Sequence, residues 1–208
     1  MEKIDYKKAF PDLYKPKTSP SAVDVPPMTF IMVDGKGNPN DPNGEYPCAV
    51  ELLYGLSYTI KMNKKGETRP NGYFEYVVPP LEGLWSLDDS ADFKNKDTFL
   101  WTSMIRQPEF VTAEVFAETC PMVEEKKHLD TAKARLEIFS EGLCVQCMHI
   151  GPFDDEPATL DKMDAFIREN GFVHDFAGRR HHEIYLSDPR KTEPAKMKTI
   201  LRVPVKKA

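Results

Sequence analysis

The order of elements along this chain repeats once, and that repetition constrains the fold more than any single motif. Residues 29–33 (TFIMV) form a short β-branched apolar run stopped by Asp34-Gly35, the pattern of a buried strand ending in a turn. Tyr46, Ala49, Val50, Leu53, Leu56 and Ile60 then recur at helical spacing, with Asn43 available as a cap and Gly66 beyond the end. Residues 73–78 read as a strand halted by Pro79-Pro80, and Glu82-Gly83 turns the chain into Leu84-Trp85-Ser86 as a hairpin. The same order returns later. Residues 143–150 close at Gly151-Pro152, a stripe of Leu160, Met163, Ala165, Phe166 and Ile167 marks a helix ending at Asn170-Gly171, and residues 182–186 and 199–203 follow as strands. A period on the order of 110 residues is too long for a solenoid and predicts a duplicated strand-helix-strand-strand module with pseudo-twofold symmetry. The expected fold is α+β: an antiparallel sheet with helices on one face and a concave ligand cleft where like halves meet.

Between the halves lie residues 101–110, a helix from Thr112 toward Lys127 interrupted near Pro121, and a strand over residues 132–139 whose alternation predicts cover on one face only. Residues 1–27 carry Pro11, Pro16, Pro20, Pro26 and Pro27 among polar side chains, so residues 1–24 read as an extended N-terminal arm and 25–208 as one domain. With 40% hydrophobic residues, including 12 Phe and 8 Tyr, the chain has enough apolar surface for a sizeable core.

Charge and cysteine usage narrow the function classes. A net charge of −5 offers no cationic footprint for a phosphate backbone, so no nucleic-acid partner is expected. No run approaches the ~18 apolar residues that would span a bilayer, so no membrane partner is expected either. The charged first eight residues lack the apolar stretch of a secretory signal, which places the chain in the cytoplasm. Cys48, Cys120, Cys144 and Cys147 are too few and scattered for a disulfide framework and read as thiols.

Familiar chemical motifs fail one by one. Gly35-Lys36-Gly37 begins like a dinucleotide fingerprint, but Asn40 stands at the third glycine position and no helix opens there. Cys144 and Cys147 spell CxxC within a strand, where a spacing of three sends the thiols to opposite faces. His174, His181 and His182 lack an acidic or thiol partner at ligand spacing, so no metal is assigned. What remains is Glu183. Ile184 and Leu186 alternate with Glu183 and Tyr185, so if the aliphatic pair packs on the helices, the carboxylate and the phenol share the opposite face, which would be the cleft. Tyr73, Phe74, Tyr76, Trp85, Trp101, Phe110 and Tyr185 are more aromatic surface than one side of a small sheet normally gives to solvent; some must line a core or a pocket. Aromatic rings near a carboxylate suit a flat, apolar or cationic small molecule.

Several separated segments together resemble the GyrI-like small-molecule-binding family: Glu82-Gly83-Leu84-Trp85 after Val-Pro-Pro, Ile105-Arg106-Gln107-Pro108-Glu109-Phe110, His149-Ile150-Gly151-Pro152 before a helix, and His182-Glu183-Ile184-Tyr185-Leu186 before Asp188-Pro189. The resemblance runs from about Val25 to Val205 and implies a duplicated module whose sheet binds bulky aromatic or cationic compounds. It also implies two alternatives. Stand-alone members include hydrolases that open the cyclopropane ring of alkylating natural products, a detoxifying activity without a cofactor. In that case Glu183 and Tyr185 are catalytic and Tyr76, Trp85, Trp101 and Phe110 bind ligand. Other members bind cationic aromatic drugs without turnover, as sensors or sequestering proteins. Phe153 follows Gly-Pro where relatives often carry Tyr, which removes a hydroxyl. The oligomeric state is left open.

Overall fold

Alternating and β-branched runs become strands and 3.6-periodic stripes become helices over most of the chain. The computed structural model describes residues 3–63, 69–87 and 95–208. In chain order the described residues form α1 (Tyr6–Ala9), α2 (Pro11–Tyr14), β1 (Ser21–Val25), β2 (Met28–Lys36), α3 (Glu45–Met62), β3 (Leu81–Leu87) and β4 (Phe99–Arg106). They continue with α4 (Ala113–Lys127), β5 (Ala134–Phe139), β6 (Gly142–Ile150), α5 (Pro157–Glu169), β7 (Phe172–His174), β8 (His181–Tyr185) and β9 (Lys198–Lys207). The fold is α+β, and the strand pairings within each unit described below are antiparallel.

The chain divides into two compact units. The first comprises the described parts of residues 1–6, 28–81 and 86–139; the second comprises residues 7–27, 82–85 and 140–208. In the first, β2 lies between β4 and β5, with Ile31 opposite Ile105 on one side and Leu136 on the other. Phe30, Ile31, Met32 and Val33 are buried in succession, so this strand is covered on both faces. Helix α3 adds Ala49, Leu52, Leu53, Leu56 and Ile60 to that core. Gly66, expected beyond its end, lies outside the described residues.

Three expectations for this unit change. Asp34-Gly35 does not end the strand, which runs on to Lys36 because Gly35 vacates space for a tryptophan ring across the pair. Residues 73–78 make no strand. Ile4 donates its N–H to Glu75 O at 2.9 Å and accepts from Val77 N–H at 2.8 Å, a single parallel bridge, and the donor-less Pro79-Pro80 prevents a ladder from extending. Pro121 does not interrupt α4: Thr112 caps its N-terminus by accepting from Val115 N–H, and His128 closes its C-terminus in the left-handed conformation.

In the second unit the order is β1-β6-β9-β8 with Glu82–Trp85 of β3 outside β8, and β7 pairs with the end of β9. Glu82 and Gly83, expected at a turn, therefore lie within a strand. The segment read as an extended arm contributes α2 and most of the edge strand β1, which pairs with β6, and it buries Leu13 and Tyr14. Pro157 opens α5, and Met163 and Ile167 pack on Val145, Cys147, Leu201, Val203 and Val205. Each fully buried aliphatic contributes roughly 1.5–3 kcal/mol.

Register decides where the acid points, because directly opposed residues of an antiparallel pair share a face. Glu183 lies opposite Leu201, and Leu201 belongs to the cluster under α5. Glu183 and Tyr185 therefore occupy the helix-bearing face, the reverse of the arrangement expected from Ile184 and Leu186. Ile184 shares the other face with Ile200, His182 and Arg202, and that face is covered by the N-terminal segment.

Candidate functional site

Strand alternation puts His181, Glu183 and Tyr185 on one face of β8, and the neighbouring strand sets Gly83 opposite Glu183 and Trp85 opposite His181. Trp85 Nε1–H donates to Tyr185 Oη at 2.8 Å, and Tyr185 O–H donates to Glu183 Oε2 at 2.8 Å. A Cβ on Gly83 would sit 2.8 Å from Trp85 Nε1 and 3.0 Å from Tyr185 Oη, so the missing methyl group makes room for that hydrogen bond. The Phe153 ring meets Tyr185 edge-on at 5.8 Å. Glu183 Oε1 lies 3.5 Å from His181 Nε2, and Glu156, the residue immediately before α5, brings a third potential ligand atom within 4.8 Å of both. The Glu183 and His181 side chains keep 14% and 20% of their surface accessible. One carboxylate oxygen is thus oriented by a phenol that is itself oriented by an indole, and the other faces the imidazole. Such a carboxylate can hold a water by its proton, pair with a cation, or ligate a metal.

Beneath this strand, on the other face, a buried ionic network fixes its position. His182 Nδ1 lies 3.0 Å from Glu141 Oε1 and His182 Nε2 lies 3.0 Å from Glu82 Oε2. Arg202 pairs with Glu141 Oε2 at 2.9 Å and donates to Leu13 O at 2.7 Å; Gln146 donates to Asp12 O at 2.7 Å and Tyr14 O–H to Glu82 Oε1 at 3.2 Å. Burial alone would push His182 toward the neutral form, but Glu141 and then Glu82 outweigh it and raise its pKa to about 9. Burial would likewise raise Glu141, yet His182 and Arg202 hold its carboxyl down at about 2. Two cations and two anions compensate each other out of water, and the network ties the N-terminal segment to β8 and β9.

The remaining site candidates belong to the first unit and sit in its interior. Trp101 is 2% exposed, its ring lying where a Gly35 Cβ would be and meeting Tyr46 edge-on at 5.2 Å. Tyr76 and Phe110 are buried in a cluster with Tyr73 and Phe74. Of the expected residues, the structure brings together Trp85, Tyr185 and Glu183. Two others were missed. His181 and Glu183 stand at i, i+2 on a strand, the spacing that puts two side chains on one face, so the statement that the histidines lack an acidic partner fails for His181. Glu156 reaches them only through the packing of α5, which no local spacing reveals. Cys144 and Cys147 are buried free thiols, as expected, and burial pushes both thiol pKa values up.

The α+β fold is that of a known class of small-molecule-binding domain. The chain belongs to the family of the GyrI-like small molecule binding domain, whose model matches residues 18–206. It is similar to an uncharacterized conserved protein from Listeria innocua at 51% identity, covering 98% of this chain and 100% of that one with a TM-score of 0.93. It is also similar to a hydrolase from Listeria innocua at 50% identity, with 98% and 100% covered and a TM-score of 0.90. The C-terminal domain of EcmrR shares the fold at 12% identity, with 91% and 98% covered and a TM-score of 0.56. No curated protein matches the chain. No described helix is long and apolar enough to cross a membrane.

Proposed function

We propose that the protein binds a bulky aromatic small molecule beside Trp85, Phe153 and Tyr185, and that Glu183 directs a water onto an electrophilic cyclopropane of that molecule. The observation that carries this reading is the chain from Trp85 through Tyr185 to Glu183, which holds one carboxylate oxygen and leaves the other to accept a proton. Similarity to a hydrolase at 50% identity over nearly the whole chain supports it. In the reaction the water oxygen forms a C–O bond to a ring methylene as one ring C–C bond breaks. The released electron pair passes into the conjugated carbonyl of the substrate, Glu183 takes the water proton, and a proton returned to the product completes the net addition of one water. No oxidant or reductant is required.

Glu183→Gln keeps the shape and the Tyr185 contact but removes the base. The variant should lose turnover of a cyclopropane-bearing aromatic alkylator, followed by substrate depletion, while fluorescence titration shows near-unchanged affinity. Undiminished turnover removes the catalytic role of Glu183. Absence of turnover in the wild type, with the variant selectively weaker for cationic dyes by about 1.5–3 kcal/mol, supports instead a binding protein in which the acid is a counter-ion.

A further inference from the structure

Glu156 is separated from His181 and Glu183 by more than a helix in sequence, yet one ligand atom from each of the three lies within 4.8 Å of the other two. Their spacing suits a small cation. Ligands at ~2.0–2.1 Å from a tetrahedral zinc ion stand roughly 3.3–3.4 Å apart, and His181 Nε2 and Glu183 Oε1 are already 3.5 Å apart. A modest change in the Glu156 side chain closes the other two edges, neither longer than 4.8 Å. Two carboxylates brought this close out of bulk water repel one another, and a divalent ion turns that repulsion into attraction. His181 Nε2 is buried and makes no hydrogen bond among the described residues; its 3.5 Å contact with Glu183 Oε1 is an ion pair only when the imidazole is protonated, and a metal bond would satisfy the neutral form. The surroundings also resemble the outer shell of a metal site. Tyr185 O–H occupies Glu183 Oε2, and Trp85 fixes Tyr185 in turn, so the carboxylate presents Oε1 in a set direction.

From this convergence we infer that Glu156, His181 and Glu183 form a three-ligand site for a divalent transition-metal ion. One imidazole nitrogen and two carboxylate oxygens fit zinc best among the common ions, and three protein ligands leave a position for water. Binding of the ion needs no turnover, so the inference stands apart from the hydrolytic reading although both use Glu183. With metal bound, Glu183 is a ligand; without it, Glu183 is the base.

The test uses the full chain stripped with a chelator and dialysed into metal-free buffer. Titration with cobalt(II), followed by visible d–d absorption, and with zinc by calorimetry should show one saturable site at micromolar concentration or tighter, with zinc displacing cobalt. His181→Ala and Glu156→Gln should each weaken cobalt binding at least tenfold, and far-ultraviolet circular dichroism with thermal melts checks that both remain folded. His174→Ala, which removes a histidine from an exposed pair with Asp164, should leave binding unchanged. Absence of saturable micromolar binding by the wild type overturns the inference, as does binding that His181→Ala and Glu156→Gln leave intact. Because no substrate is present, neither result bears on Glu183→Gln turnover.

Discussion

A single methyl group should dismantle the hydrogen-bonded chain behind Glu183. Gly83→Ala places a Cβ 2.8 Å from Trp85 Nε1, 3.0 Å from Tyr185 Oη and 3.3 Å from Trp85 Cε2, against ordinary heavy-atom contacts of about 3.5–4.0 Å. Gly83 is not among the residues with positive φ, so alanine suffers no backbone strain there. Reduced freedom of the unfolded chain would even stabilise the variant by about 0.4–1 kcal/mol. Against that stand overpacking at about 1–3 kcal/mol and one lost indole–phenol hydrogen bond at about 0.5–1.5 kcal/mol. The expected balance is a net loss of roughly 1–3 kcal/mol, read by denaturant unfolding. In a chain of 208 residues it should appear as a fall in Tm of roughly 2–4 °C per kcal/mol. Affinity for flat aromatic ligands should fall with it, because the indole must leave its place. The clash is with Trp85, so in a Trp85→Phe background Gly83→Ala should cost clearly less, and a double-mutant cycle measures the coupling. Wild-type stability and affinity in Gly83→Ala, or equal costs in both backgrounds, would refute the reasoning.

The buried network beneath β8 makes its own predictions. Glu141→Gln leaves Arg202 and His182 short of a counter-charge and should cost roughly 3–5 kcal/mol in denaturant unfolding. Its pH signature has a fixed sign: the folded carboxyl titrates at about 2 against an ordinary 4.5, so its contribution is complete above about 4.5 and disappears as pH falls toward 2. Unfolding curves between about pH 5 and 3 should show that loss in the wild type and a shallower one in the variant. Trp101→Ala empties a space inside the first unit and should lower stability by roughly 3–5 kcal/mol, with stability near wild type showing the ring to be dispensable to the core.

Much of this architecture was legible because period is a local property. The helical stripes at 45–62 and 157–169 and the alternation at 182–186 depend only on neighbouring residues, and each became the element its spacing implied. The direction of Glu183 was not legible. Alternation separates His181, Glu183 and Tyr185 from His182 and Ile184 but does not say which set meets a helix, and His182 is as buried as Ile184 because Glu82 and Glu141 answer its charge while Arg202 shares Glu141. Those residues come from three stretches of chain, which only the fold brings together. Aromatic count likewise does not distinguish a pocket from a core: Trp85 joins the acid while Trp101 fills the space that Gly35 leaves open. The N-terminal prolines suggested an arm, yet Leu13 and Asp12 lend their carbonyls to Arg202 and Gln146, a role set by backbone atoms that no side-chain pattern announces.

The central claim is that Glu183 delivers water rather than attacking the substrate itself. One turnover in water enriched in heavy oxygen, with protein in excess over a cyclopropane-bearing alkylator, tests it by mass spectrometry of both product and protein. The account predicts the heavy atom in the ring-opened product and none in the protein. Product carrying ordinary oxygen, with the heavy atom found in the Glu183 carboxylate, would contradict it.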